Sequence, residues 1–356
     1  MGNILVTGGA GFIGSNFCHL WQKKYPKDRI IVVDALTYAG NPRNLDILPQ
    51  HSYVLINTSV CNTLAMEHTL AYYECDKVVH FAAESHVDRS IAAPNQFIET
   101  NVQGTVSMLQ AVQRVQQTRG VDIHFHHVST DEVYGALGPN DPAFTEQTQF
   151  APNSPYAASK AASDMMVRAW HRTYGIRVTT TNCSNNYGPY QMPEKLIPYV
   201  IYCFLHNMPV PIYGEGNQIR DWLYVTDHCE AIIECMSNGK VGETYNIGGN
   251  CELENRYVVN TIASKLTDIL TTEPDLFRAK YPECPVFRRR ALKSLVFKAI
   301  DRPGHDFRYA IDASKAQRDL GFTPSTSFEN GIDQTIRWYL ENDRWVDNCI
   351  ARMGDR

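Results

Sequence analysis

The sequence predicts an α/β protein: a doubly wound parallel sheet followed by a smaller C-terminal lobe. Three observations carry this. Short β-rich apolar runs alternate with helical stretches, a glycine-rich turn separates the first run from the first helix, and the alternation fails beyond about residue 182. The first run, Ile4-Leu5-Val6-Thr7, is followed by similar runs at residues 30–34, 78–82, 124–129 and 178–181. Each is short, apolar and rich in β-branched residues, as a strand buried on both faces requires. Between them, residues 14–25, 94–117 and 156–174 place apolar side chains at helical spacing and are long enough to cross over a sheet. Past residue 182, Asn185-Asn186-Tyr187-Gly188-Pro189-Tyr190 and Pro209-Val210-Pro211-Ile212-Tyr213-Gly214-Glu215-Gly216 are rich in turn formers, as loops lining a cleft are. The expected division is residues 1–182, with about 223–248, in the sheet domain, and 183–356 mainly in a second lobe. No repeat or Pro/Ser-rich linker separates them.

Composition bounds the function. The chain has 356 residues, 44% hydrophobic, enough for a large core. A net charge of −5 with interspersed signs offers no footprint for nucleic acid or an anionic membrane, so an anionic ligand must be held by local groups. Ten scattered cysteines without a CxxC pair fit reduced thiols in a cytoplasm. No run of about 18 apolar residues suggests a membrane span, and the N-terminus enters a strand without a basic leader.

The first motif is Thr7-Gly8-Gly9-Ala10-Gly11-Phe12-Ile13-Gly14, between a strand and a helix. Gly8, Gly11 and Gly14 let a turn tighten and bring backbone close to a pyrophosphate, whose charge the following helix N-terminus stabilises. Phe12 and Ile13 can pack that helix on the sheet. Asp34, at the end of the second run, stands where a carboxylate accepts hydrogen bonds from ribose hydroxyls and repels a 2′-phosphate. The sheet is therefore of the Rossmann type, and the expected cofactor is NAD rather than NADP.

The second motif is Ser129-Thr130-Asp131-Glu132-Val133-Tyr134-Gly135, followed by Tyr156-Ala157-Ala158-Ser159-Lys160. A hydroxyl, two carboxylates and a Tyr/Lys pair one helical turn apart converge at the carboxyl edge of the sheet. Tyr156, with Lys160 lowering its pKa, suits removal of a proton from a sugar hydroxyl during hydride transfer. The Asp131/Glu132 pair adds what an elimination needs, so redox-assisted dehydration is expected. Which carboxylate is the acid and which the base stays open on sequence alone. His124, His126 and His127 alternate across one strand without a partner set, so they read as strand packing, with no metal expected. Met165, Met166, Ala169 and Trp170 form an apolar stripe that reads as core.

These motifs resemble the extended short-chain dehydrogenases/reductases, and within them the nucleoside-diphosphate-glucose 4,6-dehydratases, typified by the dTDP-glucose enzymes. The resemblance covers nearly the whole chain. It is carried also by His80-Phe81-Ala82-Ala83-Glu84-Ser85-His86-Val87-Asp88-Arg89-Ser90, Pro193-Glu194-Lys195-Leu196-Ile197-Pro198, Arg220-Asp221-Trp222-Leu223-Tyr224-Val225 and Asp301-Arg302-Pro303-Gly304-His305-Asp306. It implies that Tyr156, assisted by Thr130, deprotonates the C4 hydroxyl as hydride leaves C4. Glu132 then removes the C5 proton, Asp131 protonates the departing C6 hydroxyl, and hydride returns to C6. For the cofactor it implies the glycine loop, Asp34, Leu36, Thr37, Ala82, Ala83, Ser85, Thr100, Asn186, Tyr156 and Lys160. For the sugar nucleotide it implies Ser85, Thr130, Asn185, Lys195, Leu196, Pro211, Tyr213, Arg220, Asn255, Arg302 and His305, with Arg220 offering a planar fork to phosphate. It also implies a homodimer joined through a four-helix bundle.

Two departures stand out. Where the family shows Asp and an aliphatic residue near the adenine, this chain has Ser59 and Val60, so the adenine contact loses a charge. The stretch 271–296 is longer than the family connection, and its Arg288-Arg289-Arg290 reads as a solvated turn. Of the nucleotides, dTDP-glucose is favoured over UDP-glucose. A 4-epimerase or decarboxylase shares the NAD and Tyr/Lys machinery but not the Thr-Asp-Glu trio. A catalytically silent NAD sensor does not explain an intact trio.

Overall fold

The computed structural model describes residues 2–301 and 305–353. In chain order the first part forms β1 (Asn3–Thr7), α1 (Phe12–Lys24), β2 (Arg29–Asp34), β3 (Tyr53–Asn57), α2 (Thr63–Tyr72), β4 (Lys77–His80), α3 (Val87–Ala92), α4 (Pro94–Phe97), α5 (Gly104–Arg119), β5 (His124–Thr130), α6 (Pro155–Tyr174) and β6 (Val178–Cys183). The second adds β7 (Asn185–Tyr187), α7 (Leu196–Leu205), β8 (Val210–Tyr213), β9 (Ile219–Tyr224), α8 (Val225–Asn238), β10 (Thr244–Ile247), β11 (Glu252–Glu254), α9 (Asn255–Thr272), α10 (Pro274–Phe277), β12 (Val296–Ala299), α11 (Ser314–Leu320), α12 (Phe328–Glu341) and α13 (Asp343–Met353).

Seven strands make one sheet in the order β10-β6-β5-β4-β1-β2-β3, every neighbouring pair parallel. The order reverses between β1 and β4, so the helices leaving their carboxyl ends go to opposite faces and a crevice opens there. Alternation along the strands sorts the core. Leu5, Ile31, Val33 and Val78 meet Met66, Leu70, Met108, Val112 and Val167 from α2, α5 and α6. Ile4, Val6, Ile30, Val32 and Val79 meet Phe17, Trp21, Ile232 and Met236 from α1 and α8. Each such side chain contributes about 1.5–3 kcal/mol by leaving water. A third core, with Phe204, Ile262, Leu266, Ile336 and Leu340, joins α7, α9 and α12 beyond the sheet. Two small sheets, β11-β9-β7 and β12-β8, lie in the second half.

The five expected strands and three expected helices are present, with two strands the sequence reading did not single out. Edge strand β3 is only half-buried, so its pattern is weak, and β10 is four residues long and pairs with β6 from far along the chain. The expected helix 94–117 is interrupted: a π-turn at Ile98–Gln103 lies between α4 and α5. Buried Asn101 explains it. Its amide accepts from the Glu84 N–H at 2.8 Å and donates to the Glu84 carbonyl at 3.0 Å and to Ser159 Oγ at 2.8 Å, tying three elements at the crevice.

The apolar stripe on α6 is divided: Met166 and Trp170 pack against the core, whereas Met165 is 56% exposed and Ala169 is exposed, and Ser159, Lys160, Ser163, Asp164 and Val167 face inward. The inward face is set by the polar groups α6 brings to the sheet, not by its most apolar row. The long connection 271–296 is built from α10 and two 3₁₀ turns, anchored by buried Phe277, Tyr281, Cys284 and Leu292. Its three arginines are exposed, and Arg288 pairs with Glu283.

Candidate active site

The carboxyl ends of β1, β2, β4, β5 and β6 open into a cleft of about 510 Å³. At its floor the chain leaves β1 through Gly8 at φ +69°, a conformation that strains any residue with a Cβ. A Cβ there would also lie 2.7 Å from the Ala82 backbone nitrogen. Among the described residues no side chain caps α1, whose N-terminus at Gly11 opens on the cleft, and a Cβ on Gly14 would strike the Gly8 carbonyl at 2.3 Å. The turn is thus shaped for backbone to approach a diphosphate. Asp34 lines the cleft from the end of β2 and accepts the Leu36 N–H at 2.8 Å and the Ala10 N–H at 3.0 Å. Burial raises its pKa and those two bonds oppose the rise. Each oxygen keeps a lone pair for a further donor, so these residues fit a dinucleotide with free ribose hydroxyls.

Gly8, Gly11, Phe12, Ile13, Gly14, Asp34, Thr37, Ser59, Val60, Ala82, Ala83, Ser85 and Thr100 all line the cleft, as do Asn185, Asn186 and Lys195. Leu36 does not; at φ +51° it shapes the turn whose N–H holds Asp34. Ser59 Oγ accepts the Cys61 N–H at 3.2 Å, so it keeps the local turn an aspartate would make. Lys195 Nζ donates to the Ser85 carbonyl at 3.0 Å across the cleft mouth. Asn186 is held by the Ser184 carbonyl at 2.9 Å and by His228 Nδ1 at 2.9 Å.

Thr130, Asp131, Glu132, Tyr156 and Lys160 meet at the same edge. Thr130 Oγ1 donates to Asp131 Oδ1 at 3.3 Å and accepts the Glu132 N–H at 3.3 Å. Asp131 is 2% exposed, and its Oδ2 has no partner among the described residues. Burial, then the Glu132 and Asp221 charges, push its carboxyl well above the ordinary range, which favours its protonated form. Burial and Glu132 likewise raise the Tyr156 phenol, against a hydrogen bond from Thr130. Lys160 Nζ donates to the Val128 carbonyl at 2.8 Å; burial lowers its pKa and Asp164 opposes. Two of the three histidines on β5 bond within the sheet, His124 and His126 each meeting Thr179 Oγ1 at 2.9 Å, while His127 Nε2 meets Asp164 on α6 at 3.0 Å.

The expected nucleotide-end residues form a separate group. Pro211 and Tyr213 lie on β8, Asn255 begins α9, and the His305 ring meets Tyr213 edge-on at 6.1 Å. None of these lines the cleft, nor does Leu196, which begins α7. The Arg220 guanidinium donates to the Ile219 carbonyl at 2.8 Å and the Asp306 carbonyl at 3.0 Å and stacks over Tyr309 at 4.3 Å. Its fork is therefore engaged by backbone rather than open to the cleft. Arg302 lies outside the described residues. Ser129, expected at this sheet edge, lines the cleft; sequence reasoning did not place Cys183, Ser184, Gln191, Met192 or Glu194 there, though each adjoins or lies within a motif it had marked. Among the described residues, Asn185 Oδ1 and Gln191 Oε1 are buried there without partners, like Asp131 Oδ2. Such a concentration of unmet polar atoms is what a polar ligand satisfies.

The sequence matches the family model described as GDP-mannose 4,6 dehydratase over residues 5–335. The chain belongs to this 4,6-dehydratase family. Among its relatives, a dTDP-glucose 4,6-dehydratase of Neisseria meningitidis serogroup B is 47% identical over 356 residues, 98% of this chain and 96% of that protein. The solved dTDP-glucose 4,6-dehydratase of Streptomyces venezuelae with NAD bound has a TM-score of 0.86 and 43% identity, covering 98% of this chain and 99% of that chain. A UDP-glucose 4-epimerase of Thermotoga maritima shares the fold at a TM-score of 0.80 but is 25% identical, over 95% of this chain and 99% of its own. The 4,6-dehydratase resemblance therefore holds across the whole chain.

Proposed function

We propose that this 4,6-dehydratase converts dTDP-glucose into dTDP-4-keto-6-deoxyglucose and water, with NAD as a recycled cofactor. The observation that carries the reading is Asp131: a buried carboxyl with an unpartnered oxygen, its pKa raised by burial, beside Glu132 at the strand end where Tyr156 and Lys160 meet. An epimerase or decarboxylase has no use for such an acid, and relatives named for dTDP-glucose match at 47–49% identity. NAD, when bound, supplies the acceptor that carries hydride from C4 to C6.

The remaining work falls to the chain. The Gly8–Gly14 turn and the α1 N-terminus hold the diphosphate, Asp34 the ribose, and Ser59, Val60, Ala82, Ala83 and Thr100 the walls. Tyr156, its raised pKa opposed by Thr130, takes the C4 hydroxyl proton, and a charged Lys160 one turn along α6 favours the phenolate. With a carbonyl at C4, the C5 proton becomes acidic and Glu132 removes it. Asp131 delivers its proton to the departing C6 hydroxyl, and the exclusion of water keeps that proton available. Ser85, Asn185 and Lys195 hold the sugar and diphosphate. Leu196, Pro211, Tyr213, Arg220, Asn255, Arg302 and His305 serve the nucleotide end through the resemblance alone.

Residues 1–182 with about 223–248 serve as the cofactor-binding domain; α8 packing on α1 and β10 joining the sheet support this division. The remainder serves the sugar nucleotide. A homodimer through a four-helix bundle is supported by exposed Ile91, Ile98 and Met165 on the α3–α6 side. Ten unpaired cysteines support a reducing cytoplasm. Among the described residues no helix is long and apolar enough to cross a membrane. The test is mass spectrometry of products from the NAD-supplemented protein with dTDP-glucose, UDP-glucose and GDP-mannose offered separately. Loss of one water from dTDP-glucose is expected; an unchanged mass with all three, NAD binding being verified, refutes the reading.

A further inference from the structure

Behind the reacting residues lies an internal polar layer that this chemistry does not use. Asp164 stands one turn beyond Lys160 on α6 and is 8% exposed. Its Oδ1 accepts from His127 Nε2 at 3.0 Å, and its Oδ2 accepts from Asn182 Nδ2 at 3.3 Å. Asn182 Nδ2 also reaches the Thr130 carbonyl at 3.4 Å, so α6, β5 and β6 are joined directly beneath the catalytic threonine.

A carboxylate buried this deeply is costly unless it answers a positive charge. His127 does not supply one: burial and Lys160 hold its ring well below the usual histidine range, and its Nδ1 has no partner among the described residues. The remaining positive charge is Lys160, 5% exposed, whose bond to the Val128 carbonyl orients the ammonium without neutralising it. Burial lowers the Lys160 pKa, and the field of Asp164 opposes that shift.

We propose that Asp164 is a positioning residue of this site: anchored by His127 and Asn182 one helical turn from Lys160, its carboxylate serves as the buried counter-charge of the Lys160 ammonium beside Tyr156. Other titratable groups near the pair are His127 from β5, His80 from β4, Tyr134 from the 3₁₀ turn after β5 and Cys183 from β6. Burial keeps both histidines neutral and pushes the Tyr134 and Cys183 pKa values up. The α5 side presents apolar Met108 and Val112, and the π-turn presents the Asn101 amide. Asp164 itself is pushed up to about 6 by burial, with Lys160 pulling it down. It is thus the group in this layer that changes charge just below neutral pH, and its protonation removes the counter-charge of Lys160.

The inference rests on the dehydratase reading, and wild-type turnover of dTDP-glucose in the same assay separates the two. The experiment is the pH profile of kcat for the NAD-loaded enzyme carrying Asp164→Asn, which keeps the shape and an acceptor for Asn182. The alkaline limb is expected to move acidward by about one pH unit, because Lys160 loses its opposite charge. kcat is expected to fall about tenfold with KM changed less than about twofold. In a Lys160→Met background the same substitution is expected to add no further loss. A wild-type pH profile in Asp164→Asn, or full additivity with Lys160→Met, overturns the proposal. If Asp164→Asn does not fold, Asp164→Glu is measured instead. Its retained charge should leave the alkaline limb at the wild-type position, and a limb displaced despite that charge overturns the proposal equally.

Discussion

Replacing Asp131 by Asn tests whether the buried carboxyl is a proton donor or only a hydrogen-bonding shape. In the native site Asp131 is 2% exposed, and burial, Glu132 and Asp221 all favour its neutral form. Asn reproduces that neutral shape and can keep the 3.3 Å contact with Thr130 Oγ1, but it has no acidic proton to give. Loss of a positioned general acid costs about 10²–10⁴ in rate, or about 2.7–5.5 kcal/mol of barrier. Stability should move the other way. The folded pKa of Asp131 lies above its unfolded value of about 3.9, so the folded state binds the proton more tightly and loses stability as pH rises from that value through the folded pKa. An amide does not titrate, so the Asp131→Asn variant should be at least as stable as wild type at neutral pH, and inactivity cannot be assigned to unfolding. The assay runs in deuterated water with dTDP-glucose and separates the two proton transfers. Dehydration should fall by the stated factor while Glu132 continues to exchange the C5 hydrogen for deuterium. Wild-type dehydration by this variant refutes the argument. So does loss of C5 exchange in parallel with dehydration while NAD and substrate still bind.

Glu132→Gln should give the complementary result: a 4-keto hexose of undiminished hydration in quenched reactions, with no deuterium at C5 and dehydration reduced about 10²-fold or more. Rapid C5 exchange by that variant removes Glu132 from the mechanism. Gly8→Ala should leave a folded protein whose NAD affinity, measured calorimetrically, falls at least about tenfold, since the left-handed turn costs about 1–2 kcal/mol and the new methyl meets backbone that cannot swing aside. Unchanged affinity would show that the turn does not carry the diphosphate. Ser59→Asp should tighten NAD about fivefold, because a charge-assisted bond exceeds a neutral one by about 1 kcal/mol and Asp can still accept the Cys61 N–H. Equal retention on purification counts against an adenine contact at residue 59.

The fold was legible where the physics is local. A β-branched run, a glycine turn and an uncapped helix start occur within residues 4–14, and Tyr156 and Lys160 are separated by one helical turn, so their convergence follows once the sheet is parallel. What escaped the reading depends on partners distant in sequence. The π-turn at Ile98–Gln103 follows from Asn101 binding Glu84 and Ser159, neither predictable from the run of residues around it. Arg220 looked like an open phosphate fork, yet backbone carbonyls from residues 306–307 arrive beneath it. Of the stripe Met165, Met166, Ala169 and Trp170, only Met166 and Trp170 pack on the core, because α6 also turns Lys160 and Asp164 inward, where they bond to β5 and β6.

That inward polar face lies behind a site in which three groups have shifted pKa values. Excluding water from the strand ends raises Asp131 and Tyr156 and lowers Lys160, so burial favours a useful acid but also a stubborn phenol and a less firmly charged amine. The first effect serves elimination; the other two oppose deprotonation of the substrate. A dry site can run both steps only if a second charge restores the lysine without restoring water, and Asp164, tethered through His127 and Asn182 on the side away from the sugar, is placed to do so. An apolar face on α6 would pack the sheet equally well but would leave Lys160 to lose its charge. The exposed methionine and the buried aspartate are thus two results of one requirement on the same helix.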